Sequence, residues 1–383
     1  MEDLEQARVR FAKEIQQLGH IRSTGLIEGL ATIPREDFMG PGPWRIMRGA
    51  EMAKGYQLTP DSNPRHLYEN VLVALDERRL LNNGEPLGLL LFLDSLTLCT
   101  GDRFLHIGCG VGYYTAIASR AVGPRGTVVG VEIDTALAAR AESNLRPYRT
   151  VKVVVGDGTL GPFGTFDAVF VNAGCTRPLS LWVDQLAVGG RLLIPLTVTL
   201  PTMPGIGAGS MLLVTREATG YGARFTAPVG IFHCEGARSG EEEALLAKAF
   251  GSGGRNSVRR LRHDPHEPSP NCWLHTANFC LESDPALRQR HRVRIQVDAQ
   301  VLAGYVGRYQ LAPNIALVVM FKDGGLFAQL AGPSAVPIYP ETQTTFFYEA
   351  IDAQITFLTD ASGRATGLLF RHDGHDVPAQ RTE

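Results

Sequence analysis

The chain has 383 residues, a formal net charge of −2 and 44% hydrophobic residues. That length accommodates two domains with sizeable cores, and so small a charge excludes a global field that would gather nucleic acid or an anionic membrane. No apolar run reaches the roughly 20 residues that span a bilayer, and the acidic, helix-patterned start Met-Glu-Asp-Leu-Glu is no secretory signal. Six cysteines, at 99, 109, 175, 234, 272 and 280, form no paired framework. The expectation is a cytoplasmic protein with reduced thiols and no nucleic-acid or membrane partner.

Residues 1–100 read as mostly helical, the N-terminal part of a catalytic domain. Arg8, Phe11, Ile15 and Leu18 keep the spacing of one helix face. The run Ile33-Pro-Arg-Glu-Asp-Phe38 follows, and then Gly40-Pro-Gly-Pro-Trp44, whose tryptophan suits either a core position or the mouth of a site. Asn82-Asn83-Gly84 carries turn chemistry, and Leu87–Leu98 is an apolar helix leading to the first strand.

Residues 101–250 carry the central signal, Phe104-Leu-His-Ile-Gly-Cys-Gly-Val-Gly-Tyr-Tyr-Thr115. An apolar strand runs into Gly108, Gly110 and Gly112, then into a helix over Tyr113–Arg120. A backbone turning this tightly needs glycine, because a Cβ blocks the turn or the close approach of a ligand. A dinucleotide fingerprint sets its third glycine one position later, where Tyr113 stands, so the loop suits a nucleoside better than a pyrophosphate. After the turn Gly123–Gly126, the strand Thr127–Val131 ends at Glu132. The interval of roughly 20 residues from Gly112 holds a helix, a turn and a second parallel strand, bringing that carboxylate beside the loop to accept ribose hydroxyls. Strands Val151–Val155 and Phe166–Val171 end in Gly156-Asp157-Gly158 and Asn172-Ala173-Gly174. Ligands of open α/β sheets bind beyond such carboxyl ends. Arg191–Pro195 is a fifth strand, Met211–Thr215 and Phe225–Ile231 suggest two more with an antiparallel edge, and a helix covers 241–250. The expected fold class is α/β, a doubly wound Rossmann-like sheet.

Ile33–Phe38, the glycine loop with Tyr113, Val155–Gly158, Phe166–Ala168 and Gly189-Gly-Arg-Leu-Leu-Ile-Pro195 together resemble the class I S-adenosylmethionine-dependent methyltransferases. More narrowly, they resemble the protein-L-isoaspartate O-methyltransferase family, over residues 5–235. The resemblance implies S-adenosyl-L-methionine as cofactor and methyl transfer to a carboxylate of a protein or peptide. Backbone around Gly108–Gly112 would hold the methionine moiety, with His106, Gly108, Cys109, Gly110, Gly112 and Tyr113 as cofactor-binding residues. Glu132 would bind the ribose, Ile133 the adenine face, and Asp157 with Gly158 the adenine edge, with Asn172 completing the set. Cys109 reads as a small residue tolerated in a tight loop. The family carries a Gly-Gln-Thr-Ile-Ser-type segment whose serine lies by the methyl acceptor; here the corresponding stretch is Leu81–Gly88. Gly84 and Pro86 align with it and no serine does, which leaves Asn82, Asn83 and Glu85 as acceptor-side candidates beside the alternative of a plain turn. A carboxylate nucleophile is ionised at neutral pH and needs no general base, in keeping with the lack of an obvious His–Asp pair near the sheet. The missing serine keeps a modified peptide or a small metabolite open as acceptor. Outside enzymes, the alternative is a non-catalytic scaffold, against which the intact Gly108, Gly110, Gly112, Glu132 and Asp157 count.

Residues 251–296 read as a loop-rich linker. His263, His266, Cys272, His275 and Cys280 crowd into it. No C-x-x-C pair is present, so surface histidines and packed cysteines are expected there, with no metal. Arg255, Arg259, Arg260, Arg262, Arg288, Arg290, Arg292 and Arg294 lack interleaved aromatics and read as a solvated linker. From 297 to 383, short alternating runs (Tyr305–Leu311, Ile315–Phe321, Leu326–Leu330, Thr345–Glu349, Gln354–Leu358, Gly367–Arg371) are punctuated by the turns Lys322–Gly325, Asp360–Gly363 and His372–Gly374. They predict a small all-β meander able to close into a barrel. Tyr305-Val-Gly-Arg-Tyr309 and Leu326–Leu330 resemble a small β domain appended to some serine-hydrolase-type proteins.

Overall fold

Asp3 accepts the backbone N–H of Gln6 and Gln6 reaches back, a capping box that starts α1 (Leu4–Gly19). The computed structural model describes residues 3–49, 54–284, 294–312, 315–330, 335–348, 353–372 and 375–382. They divide into two compact units, residues 1–48, 56–249 and 257–284 in the first, and 49–55, 250–256 and 285–383 in the second.

In the first unit, α1 buries Phe11 and Ile15, as its helical spacing predicts. It is followed by α2 (Thr24–Thr32), α3 (Glu36–Met39), β1 (Arg45–Arg48), β2 (Gln57–Leu58), β3 (Val71–Asp76), β4 (Leu81–Asn82) and α4 (Pro86–Ser95). Among the described residues these strands pair as a small antiparallel sheet, β2-β1-β3-β4, within a region the sequence suggested was mostly helical. Strands of two to six residues are too short for a two-residue period to stand out.

The central layer alternates β5 (Arg103–Ile107), α5 (Tyr113–Val122), β6 (Thr127–Glu132), α6 (Thr135–Leu145), β7 (Val151–Val155), β8 (Phe166–Val171), α7 (Ser180–Asp184) and β9 (Leu186–Leu200). β10 (Met203–Arg216), β11 (Tyr221–Phe232), α8 (Gly240–Gly251), β12 (Val258–Arg262), β13 (Cys272–His275) and β14 (Cys280–Ser283) follow. One sheet runs in the order β13-β14-β12-β11-β10-β9-β8-β5-β6-β7. From β9 to β7 the pairs are parallel, and β10 onward is antiparallel. β5 and β8 are central and covered on both faces, which is why Phe104, Leu105, Ala168, Val169 and Phe170 are all fully buried and the strands read as continuous apolar runs. The expected α/β Rossmann-like class is present. Strands β12–β14 continue the same sheet through the stretch for which the sequence suggested a loop-rich linker. The arginines of β12 and the brevity of β13 and β14 conceal them.

In the second unit, α9 (Ala299–Gly304) precedes β15 (Gly307–Ala312), β16 (Ile315–Lys322), β17 (Gly325–Gln329), β18 (Val336–Pro340), β19 (Thr345–Phe347), β20 (Ala353–Thr359), β21 (Ala365–His372) and β22 (His375–Arg381). They form a closed barrel, sealed where β15 pairs with β22 through Tyr309↔Arg381 and Gln310↔Gln380. Tyr305 stacks on Phe357 inside it, ring centroids 4.4 Å apart, and Tyr309 donates its hydroxyl hydrogen to the Tyr305 carbonyl at 2.7 Å. The sequence pattern missed β18 and β22, each of which contains proline, a residue that argues against a strand. All six cysteines are free thiols. Among the described residues no helix is long and apolar enough to cross a membrane.

Candidate active site

Gly108, Gly110 and Gly112 have φ of +75°, +57° and +91°, the left-handed region that other residues avoid. Two of them are also closely packed. A Cβ on Gly108 would come within 3.2 Å of the Asn172 carbonyl, and one on Gly112 within 2.6 Å of Leu145. At Gly110 nothing lies within 4 Å, so this backbone offers an open face to a ligand.

Glu132, at the end of β6, is 6% exposed and binds the loop directly. Its Oε2 accepts the Gly110 N–H at 2.7 Å and its Oε1 accepts the Asp134 N–H at 3.0 Å. Burial raises its pKa, while the two backbone donors pull the other way. The adjacent Ile133 is 44% exposed, an apolar surface next to that carboxylate. At the end of β7, Asp157 accepts from the backbone and hydroxyl of Thr159, both at 2.8 Å, an Asx-type turn that fixes its direction. Gly158 is buried and its carbonyl accepts the Trp182 indole N–H at 2.8 Å. Asn172 donates its backbone N–H to Ile107 at 2.8 Å and lies against Gly108. The carboxyl ends of β5, β6, β7 and β8 thus hold Gly108–Gly112, Glu132–Ile133, Asp157–Gly158 and Asn172.

Three expected contacts have core side chains instead. His106 is 1% exposed, lies 2.9 Å from the Thr115 hydroxyl through Nδ1 and stacks on Phe170. It is buried because β5 is a central strand covered on both faces, and burial lowers its pKa to about 3, so it stays neutral. Tyr113 is also 1% exposed, its ring edge-on to Phe38 and under the Arg35 guanidinium. Cys109 is buried with its thiol pKa pushed up by that burial, an inert small side chain.

On the acceptor side, Asn82 is consumed by a turn, accepting the Gly84 N–H at 2.8 Å through Oδ1. Asn83 is buried, and its Nδ2 has no hydrogen-bond partner. Glu85 precedes α4 without capping it. Burial raises its pKa, opposed by the charge of Arg35. Arg35 was not singled out from the sequence and proves central. It is fully buried and donates to the carbonyls of Leu67 (3.1 Å), Val71 (3.0 Å) and Gly84 (3.1 Å). Only its place inside Ile33–Phe38 could have pointed to it. Trp44 is a core residue, its indole N–H donating to the Gly40 carbonyl at 2.9 Å.

Among the arginines of the presumed linker, Arg262 bonds Asp264 and Glu282, and Arg294 lies over the Tyr339 ring. Arg288, Arg290 and Arg292 fall outside the described residues. His263 stands 3.4 Å from the Ser180 hydroxyl.

A family model described as protein-L-isoaspartate(D-aspartate) O-methyltransferase matches residues 7–202, and one described as a domain of unknown function (DUF3471) matches residues 291–381. The chain is 32% identical over 184 residues to the protein-L-isoaspartate O-methyltransferase of Thermotoga maritima, covering 46% of this chain and 52% of that one. It therefore spans about half the length of that relative. It is 34% identical over 148 residues to protein-L-isoaspartate O-methyltransferase 1 of Archaeoglobus fulgidus, covering 36% of this chain and 68% of that one. A solved structure titled protein-L-isoaspartate O-methyltransferase aligns at 17% identity with a TM-score of 0.48, covering 98% of this chain and 100% of that one.

Proposed function

Because the chain belongs to the protein-L-isoaspartate(D-aspartate) O-methyltransferase family, whose members use S-adenosyl-L-methionine, we propose that it methylates a carboxylate of a protein or peptide. The observation that carries this reading is the tie between Glu132 and the open Gly110 backbone, which assembles a nucleoside-binding surface at the carboxyl ends of β5 and β6.

Gly108–Gly112 present backbone to the methionine moiety, Glu132 receives the ribose hydroxyls, Ile133 packs on the adenine face, and Asp157 and Gly158 meet its edge. The cofactor, when bound, supplies an electrophilic methyl carbon on a sulfonium. The chain contributes alignment and exclusion of water rather than proton transfer, since a carboxylate attacks already ionised. For the acceptor, support comes from the unpartnered Asn83 Nδ2 and from Arg35, a buried cation with no ion pair among the described residues, bonded to the carbonyl of Gly84. A donor and a positive field beside Asn83–Glu85 favour an anionic acceptor.

The test is transfer of labelled methyl from S-adenosyl-L-methionine to an isoaspartyl peptide and to its aspartyl twin. Base-labile label on the isoaspartyl peptide alone supports repair-type methylation without the family serine. Label on neither, with S-adenosyl-L-homocysteine still bound by calorimetry, removes isoaspartate and leaves a modified peptide or small metabolite.

A further inference from the structure

At the outer edge of the large sheet, four side chains with metal-binding chemistry converge, away from the glycine loop in the sequence and unused by methyl transfer. β13 and β14 form an antiparallel hairpin in which His275 stands opposite Cys280. In a regular strand Cys272 and His275, three apart, would face opposite sides. The register shifts between Cys272 and Leu274, one extra residue on β13, and that bulge turns Cys272 toward the side of His275. His266 comes from the loop before the hairpin. The donor atoms of His266, Cys272, His275 and Cys280 all lie within 4.8 Å of one another, with Nε2 of His266 3.8 Å from Sγ of Cys272. A tetrahedral ion with bonds of about 2.0–2.3 Å needs its donors roughly 3.3–3.8 Å apart, a distance that small side-chain rotations reach here.

The surroundings suit ligation. Nδ1 of His266 lies 2.9 Å from the Asp264 carbonyl oxygen and must carry the proton it donates there. That fixes the tautomer whose bare Nε2 faces Cys272, the arrangement second-shell carbonyls impose on metal-bound histidines. Sγ of Cys272 accepts the Ser269 backbone N–H at 3.3 Å, which favours the thiolate. Nδ1 of His275 is buried with no hydrogen-bond partner, a penalty that coordination relieves. Arg262, opposite Cys280 in the ladder, is hydrogen-bonded to Asp264 and to Glu282, so the same side chain braces both the His266 loop and β14.

We infer that His266, Cys272, His275 and Cys280 form a structural zinc site that fastens the β13–β14 hairpin to the loop preceding it. Two thiolates and two imidazoles are the donor set zinc prefers, and the thiolates neutralise its charge. Four protein ligands fill a tetrahedron and leave no open position for a reacting water, so the role is structural. The spacing hides the site in the sequence: the chelating pair is Cys272-Trp-Leu-His275, with histidine where a second cysteine would stand.

Elemental analysis of the full chain, purified without chelator, should find about one zinc per chain. Cys272→Ser with Cys280→Ser should abolish it, while Cys99→Ser, at an exposed cysteine outside the group, should not. Cobalt(II) added to chelator-treated wild type should give the visible bands of a tetrahedral thiolate complex, a readout that does not depend on the double variant folding. Zinc retained by a folded double variant, wild type with neither zinc nor those cobalt bands, or a Cys272–Cys280 disulfide in protein purified under reducing conditions would each overturn the site. Binding of S-adenosyl-L-homocysteine, measured alongside, separates failure here from failure of the methyltransferase reading.

Discussion

The Gly84 carbonyl accepts two hydrogen bonds at once, from Nη2 of Arg35 at 3.1 Å and from the Tyr114 hydroxyl at 3.2 Å. Tyr114 thereby pins the segment proposed to face the acceptor to the helix that follows the glycine loop. Arg35, a cation with no ion-pair partner among the described residues, ties it to the carbonyls of Leu67 and Val71. Lysine cannot span the carbonyls of Leu67, Val71 and Gly84 as the planar guanidinium does. Arg35→Lys should lower stability in urea by about 1–3 kcal/mol. It should also depress kcat/KM for the methyl acceptor more than affinity for S-adenosyl-L-homocysteine. Equal losses in both would mean that Arg35 holds the whole site rather than its acceptor edge.

Removing the carboxylate in Glu132→Ala should weaken S-adenosyl-L-homocysteine binding by about 1–3 kcal/mol, through lost charge-assisted hydrogen bonds. Because Glu132 also holds the N–H groups of Gly110 and Asp134, thermal stability should fall with it. Calorimetry showing unchanged affinity in a folded variant would refute the ribose assignment.

Two neighbouring glycines should separate binding from folding. Gly110→Ala forces a side chain into φ of +57° but meets no atom within 4 Å, so it should fold with a penalty of about 1–2 kcal/mol and bind cofactor at least tenfold more weakly. Gly112→Ala adds contact with Leu145 at 2.6 Å to its strain and should lose stability first. Melting curves and cofactor titrations of the pair decide; a Gly110→Ala protein with native affinity would mean that the loop does not touch the ligand.

Glu85 gives a pH signature. Burial raises its pKa in the folded state, so its ionised form is disfavoured there relative to the unfolded chain. That penalty is absent below the ordinary carboxylate pKa and fully present above the raised one. Glu85→Gln should therefore raise the melting temperature near neutral pH, and the gain should shrink toward zero as the pH falls below the ordinary value. A gain that does not vary with pH would place the effect elsewhere.

The parallel core was legible because β5, β6, β7 and β8 are largely apolar runs followed by or ending in glycine or a polar residue, as at Ile107-Gly108 and Val131-Glu132. Period and punctuation were strong enough there to give the element, its direction and the end that matters. What escaped depends on partners far along the chain. Arg35 contacts carbonyls 32 to 49 residues away, which no local pattern encodes. His106 and Tyr113 flank the loop in sequence yet are buried, because His106 sits in a central strand covered on both faces and Tyr113 on the buried face of a helix. β12–β14 were hidden by arginines and brevity, and β18 and β22 by their prolines.

The pairing of β15 with β22 brings the start and the finish of the barrel side by side, Tyr309 next to Arg381. A module whose two ends meet needs only one point of attachment to its host. Such a unit transfers between proteins as readily by insertion into a surface turn as by addition at a terminus, and its strands can be cut open at another turn and rejoined at the old ends without altering any pairing. Portability, in this sense, is a property of the closure itself.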